Sequence, residues 1–157
     1  MSDDTRASRT PAGDAFTALV VQVLRLHGLL IAAGDEMTRP AGQTSARWQV
    51  LGIVEHGPAT VAQVARALGL ARQSVQRVAD LLEQDGLAAY VPNPADRRAD
   101  LLQLTDAGHA ALRTIQTAQR TWADALGAQI GEEELRRASE VLARVMEVVA
   151  AGAARDG

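Results

Sequence analysis

Apolar residues along most of this chain recur at spacings of three and four, the period of a helix with one buried face. Residues 1–13 are polar and read as a flexible N-terminal arm. Asp14 is placed to cap a helix starting at Ala15. Phe16, Leu19, Val20, Val23, Leu26 or His27, Leu30 and Ile31 then share a face, and Gly34 offers a stop. Beyond the breakers Pro40 and Gly42, Thr44 or Ser45 opens a second helix. Trp48, Leu51 and Val54 lie on one side of it, and Gly57-Pro58 ends it. Thr60 opens a third helix, where Gln63 completes a capping-box pattern and Val61, Val64, Ala65 and Leu68 face inward. Gly69 is the turn residue before a fourth helix, from about Arg72 to Asp85, with Val75, Val78, Leu81 and Leu82 as its apolar stripe. Gly86 ends it.

The period then changes. Leu87–Val91 and Asp100–Leu104 are short and β-prone, and PNPADRRA between them carries turn residues, so the pair reads as a hairpin. Thr105 caps a long fifth helix with Leu112, Ile115, Trp122 and Leu126, fraying around Gly127–Gly131. The last helix opens on Glu132, Glu133 and Glu134, three acids at the positive end of a helix dipole. Leu135, Ala138, Val141 or Leu142, Val145 and Val148 form its stripe. The order predicts a mainly α protein of about six helices with a small β-hairpin wing, in the manner of a winged helix-turn-helix. The stripes of the first and last helices are wider than one small lobe covers. Either they pack on each other within one chain, or they pair two copies.

Composition narrows the class. Hydrophobic residues make up 47% of the 157, yet only Phe16, Trp48, Tyr90 and Trp122 are aromatic, which suits a close-packed core of Leu, Val and Ala. No uninterrupted apolar run approaches the roughly 18 residues of a membrane span. The N-terminus lacks the basic-then-apolar form of a signal peptide. No membrane partner and a cytoplasmic location are expected. Cysteine is absent, which excludes disulfides and thiolate chemistry. The net charge of −3 is no global mark of a nucleic-acid binder. Between Thr60 and Asp100 five Arg (66, 72, 77, 97, 98) face five acids (80, 83, 85, 96, 100), so any DNA contact depends on placement rather than on the sum.

Two groups of residues carry candidate chemistry. Arg72, Gln73, Gln76 and Arg77 fall on the outward side of the fourth helix. Arg and Gln reach base edges there, Arg pairing with guanine and Gln with adenine, each through two hydrogen bonds. The bland alternative is a solvated helix surface; the preceding short helix, the Gly69 turn and the following hairpin favour DNA contact. Ser74, on the same helix, joins the candidates. At the hairpin tip, Asp96-Arg97-Arg98 lies beyond Pro92 and Pro94. A guanidinium on a rigid tip suits the minor groove, and a neighbouring carboxylate can hold it extended through a charge-assisted bond.

At this point the chain resembles the MarR family of bacterial transcription regulators, from about Phe16 to Ala150. The resemblance rests on Asn93-Pro94-Ala95-Asp96-Arg97-Arg98, on Leu104-Thr105-Asp106-Ala107-Gly108, and on Leu82-Glu83-Gln84-Asp85-Gly86-Leu87. It implies a single domain over 14–157: dimerisation helices at about 14–36 and 106–150 flank a winged helix-turn-helix at about 44–105. It further implies a homodimer on double-stranded DNA, with the fourth helix in the major groove. Arg98 would then enter the minor groove, positioned by Asp96, while Arg97 meets a phosphate. Such regulators are often repressors on pseudo-palindromic operators, released by a small-molecule effector. Two departures stand out. Ala71 stands where many relatives have a capping Ser, and Ala89 and Tyr90 where relatives often have basic residues.

Other chemistry is sparse. His27, Trp48 and Trp122 are candidates to line an effector pocket, although tryptophans at such positions are more often core. His27, His56 and His109 sit on separate elements without a helical-spacing partner, so no metal site and no cofactor are expected. No nucleophile–base arrangement or phosphate loop points to an enzyme. The rival reading is a winged-helix protein-interaction module with little DNA binding, favoured by the balanced charge and by Ala89-Tyr90.

Overall fold

The computed structural model describes residues 9–153. Six α-helices and three short strands follow in the order α1 (Pro11–Thr38), α2 (Ser45–Val54), β1 (Ala59–Thr60), α3 (Val61–Leu68), α4 (Arg72–Gln84), β2 (Ala88–Val91), β3 (Leu101–Leu104), α5 (Asp106–Ile130) and α6 (Glu132–Ala153). A 3-10 turn, Arg39–Ala41, links α1 to α2. The chain falls into two compact units, the first ending at Ile115 and the second beginning at Gln116.

The core of the first unit is aliphatic, as the near absence of aromatics requires. Val50, Leu51 and Val54 of α2 meet Val61, Val64 and Ala65 of α3 and Val75, Ala79 and Leu82 of α4. Ala88, Leu102, Leu104 and Leu112 close the cluster. The buried line of α4 is therefore Val75–Ala79–Leu82. Of the expected stripe, Val78 is half-buried and Leu81 is 40% exposed. A small side chain at position 79 lets neighbouring helices approach closely, which a count of large apolar residues does not register.

Local signals explain most boundaries. Thr60 Oγ1 accepts from the Gln63 N–H at 3.2 Å while Gln63 Oε1 accepts from the Thr60 N–H at 2.8 Å, a complete capping box. Gly69 ends α3 at φ +65°, a left-handed conformation that costs other residues about 1 kcal/mol or more. Thr44 caps α2, and the Ser45 N–H donates to Asp35 Oδ1 of α1 at 2.8 Å.

Three readings of the chain need correction. α1 begins at Pro11 with Thr10 as its cap, not at Ala15, so the helix takes in residues assigned to the arm; residues 1–8 lie outside the described residues. Gly34 does not stop α1, which runs on to Thr38. Instead Gly34 is buried against Ser45, whose Oγ lies 2.6 Å from where a Cβ would stand. The helix stays apolar on average despite Arg25 and His27, and Pro11–Ala41 is long and apolar enough to cross a membrane by length and composition. Looking for an uninterrupted run missed this. Phe16, Leu24 and Leu29 are among its exposed residues.

The hairpin is longer-range than the sequence suggested. β3 is the central strand, pairing antiparallel with β2 (Tyr90 opposite Leu102) and with β1 (Ala59 opposite Leu102). β1 is only two residues long and carries no periodic signal. At the base of the hairpin, Thr105 accepts from the Gly108 N–H at 3.1 Å and donates its hydroxyl to the Gly86 carbonyl at 2.6 Å. The end of α4 and the start of α5 are thereby joined through one side chain.

Candidate nucleic-acid interface

The outward face of α4 is built by its own period. With Val75, Ala79 and Leu82 turned to the core, Arg72, Gln73, Gln76, Arg77 and Asp80 line a shallow concavity on the opposite side. Ala71 stands at the N-cap with no side-chain hydrogen bond, so the first turn of α4 has no side-chain acceptor from its own cap. Ser74 is exposed on the same helix.

The wing lies beside the beginning of α4. Arg72 and Gln76 share a cleft of about 250 Å³ with Val61, Tyr90, Arg98, Ala99 and Asp100. The two groups found separately in the sequence thus adjoin, and Val61, Tyr90, Ala99 and Asp100 are additions to the candidate site. The tip itself is an Asx turn. Asp96 Oδ1 accepts from the backbone N–H of Arg98 at 3.0 Å, and Asn93 Oδ1 accepts from that of Ala95 at 3.0 Å. This corrects the expected carboxylate–guanidinium bond: Asp96 shapes the backbone that carries Arg98 and leaves its side chain uncommitted. The side chains of Arg72, Arg77, Arg97 and Arg98 form no hydrogen bond or ion pair among the described residues, which leaves four guanidiniums available at this surface.

Gln76 is different, because it is held. Its Nε2 donates to Asp80 Oδ1 and to the Tyr90 hydroxyl, each at 2.8 Å, and that hydroxyl lies 2.9 Å from Asp80 Oδ1. Burial, followed by the hydrogen bond to Asp80, pushes the Tyr90 phenol above its ordinary range, so it stays protonated and donates to the carboxylate. The spacing of Gln76 and Asp80, one helical turn apart, is visible in sequence; the arrival of Tyr90 on β2 is not.

The remaining candidates are scattered. Trp48 packs half-buried on the core of the first unit, His27 is exposed on α1, and Trp122 is half-buried in the second unit. None of them lines either cleft described above. Among the described residues no group of three or more His, Cys, Asp or Glu could hold a metal ion.

A helix-turn-helix followed by a hairpin, with free guanidiniums along the second helix and at the hairpin, defines a winged-helix DNA-binding protein. Comparison with known proteins gives the particular kind. Residues 41–99 match the model of the MarR family. An uncharacterised protein of Mycobacterium tuberculosis is 44% identical over 102 residues, 65% of this chain and 71% of that protein. The HTH-type transcriptional regulator MhqR of Bacillus subtilis is 30% identical over 105 residues, 66% of this chain and 72% of its own length. The structure of the transcriptional repressor CouR bound to a 23-mer DNA duplex superposes with a TM-score of 0.70 at 26% identity, covering 91% of this chain and 99% of that one. The chain belongs to the MarR family, and it is a DNA-binding transcription regulator.

Proposed function

We propose that this protein is a cytoplasmic, sequence-specific repressor that binds a pseudo-palindromic operator as a homodimer and is released by a small-molecule effector. The observation that carries the reading is the cleft joining Arg72 and Gln76 of α4 to Arg98 of the wing, where neither guanidinium has a partner among the described residues. α4 enters the major groove through Arg72, Gln73, Ser74, Gln76 and Arg77. Arg98 enters the adjacent minor groove on a backbone shaped by Asp96, and Arg97 meets a phosphate. The similarity to a DNA-bound repressor supports both the partner and the sign of regulation.

The homodimer is supported by unpartnered apolar surface. Phe16, Leu24 and Leu29 on α1 and Val141, Met146 and Val148 on α6 are exposed, and each large side chain buried at an interface contributes about 1.5–3 kcal/mol. Two-fold symmetry then sets half-site centres about 10 bp apart, or a multiple of that.

The test is binding of operators selected from a random DNA pool, at several salt concentrations. Arg98→Ala should weaken binding about tenfold or more, the value of one hydrogen-bonded charge, while the melting profile stays unchanged. Affinity should fall steeply with salt, because phosphate contacts release counterions. No selected sequence and no salt slope would leave a protein-interaction module as the better reading.

A further inference from the structure

The hydrogen-bond ring of Gln76, Asp80 and Tyr90 restricts what Gln76 can read. An ionised carboxylate accepts and never donates. The Gln76 atom 2.8 Å from Asp80 Oδ1 is therefore the amide nitrogen, and the phenol 2.9 Å away must give its own proton to Asp80. The phenol oxygen then takes the second amide hydrogen of Gln76 at 2.8 Å. Both hydrogens of Nε2 are spent inside the protein. Oε1 is the one polar atom of the side chain left for a ligand.

This changes the readout expected of a glutamine. Bidentate recognition of adenine needs one donor toward N7 and one acceptor toward the exocyclic amine. Gln76 has lost the donor. Asp80, whose carboxylate lines the same concavity, adds another acceptor and no donor. In the major groove the donors are the exocyclic amines of adenine and cytosine, whereas guanine and thymine present carbonyl oxygens. We propose that Tyr90 and Asp80 act as positioning residues that make Gln76 an acceptor-only reader, selecting an amine-bearing base, adenine or cytosine, over guanine or thymine at one position of each half-site. The inference rests on the major-groove placement of α4 proposed above. Tyr90, which at first sight only replaces a basic phosphate contact, becomes a specificity determinant at second hand.

Random-pool selection with the full-length dimer tests it, comparing the unaltered protein with Gln76→Ala, Tyr90→Phe and Asp80→Asn. The position whose preference disappears in Gln76→Ala is the one read. There the unaltered protein should take adenine and cytosine about equally and disfavour guanine and thymine roughly tenfold, as for one good base contact. Tyr90→Phe frees one amide hydrogen, so adenine should gain about five- to tenfold over cytosine through the restored second bond. Asp80→Asn introduces a donor at the same surface and should recover guanine or thymine about fivefold. It carries the test alone if thermal melting shows that Tyr90→Phe does not fold.

A strict adenine preference in the unaltered protein, or identical preferences in the Tyr90 and Asp80 variants, overturns the proposal. If Gln76→Ala changes no position while Arg98→Ala still weakens binding, the ring is not part of a reader, and DNA binding by the wing stands. If neither variant alters binding, the functional reading itself fails.

Discussion

Replacing Gly108 with alanine isolates the joint on which the wing is mounted. Gly108 is buried in the first turn of α5, and a Cβ there would stand 2.0 Å from the Leu87 carbonyl oxygen, 3.1 Å from its carbon and 3.3 Å from Leu104 Cδ2. Ordinary carbon contacts lie near 3.5 Å, so backbone must move by more than about 1 Å. The Leu87 carbonyl is not free to move, because it accepts from the Thr105 N–H at 3.1 Å. Overpacking costs about 1–3 kcal/mol, and losing that hydrogen bond costs about 1 more. Alanine's helix propensity returns about 1 kcal/mol. The net expectation is a loss of about 1–3 kcal/mol, a lowering of the melting point by about 2–12 °C. Urea denaturation at fixed protein concentration measures it, with the midpoint falling and the slope unchanged. Gly52→Ala is the control. It lies in α2 with nothing within 4 Å of its would-be Cβ, so the same substitution there should raise stability by up to about 1 kcal/mol. Equal effects at the two positions would refute the close-approach reasoning.

The other perturbations probe separate joints. Gly34→Ala should destabilise by about 1–3 kcal/mol through its clash with Ser45, and adding Ser45→Ala should recover part of the loss in a double-mutant cycle. Ala71→Ser supplies the cap that α4 lacks and should stabilise by about 1 kcal/mol, read as a higher urea midpoint. Arg47 is 17% exposed and its Nη1 lies 2.6 Å from Asp85 Oδ2, tying α2 to the end of α4. Asp85→Asn should lose up to about 1 kcal/mol, less at high salt, and an effect that ignores salt would count against an ionic origin.

What could be read from the sequence was local. The capping box at Thr60, the Gly69 turn, the stop at Gly86 and the cap at Thr105 each depend on residues within one helical turn, and each stands where the pattern put it. What escaped depends on partners brought close by folding. Gly34 looks like a stop until Ser45 packs on it. β1 exists only because β3 offers a second edge. Tyr90 meets Gln76 across fourteen residues of sequence, and the hydrogen bond of Asp96 to a backbone N–H is one of two geometries its spacing allowed. Ala79 was passed over because periodicity weighs bulk, whereas a tight helix crossing requires its absence.

The balanced charge of residues 60–100 also looks different once hydrogen bonds are assigned. Its acids do not oppose its arginines one to one. Asp85 is neutralised by Arg47 from outside that stretch, Asp80 is held by Gln76 and Tyr90, and Asp96 is turned into its own loop. Three of the five negative charges are therefore fixed in place by internal donors, while the side chains of Arg72, Arg77, Arg97 and Arg98 have no partner among the described residues. A phosphate approaching α4 and the wing meets cations that reorient toward it and carboxylates that do not. Attraction at contact distance then exceeds what the net charge implies, and it is confined to the surface where α4 and the wing adjoin. On the proposed reading the same stretch combines two tasks: free guanidiniums draw any duplex to this surface, and base-edge contacts from α4, the restrained amide of Gln76 among them, supply selectivity.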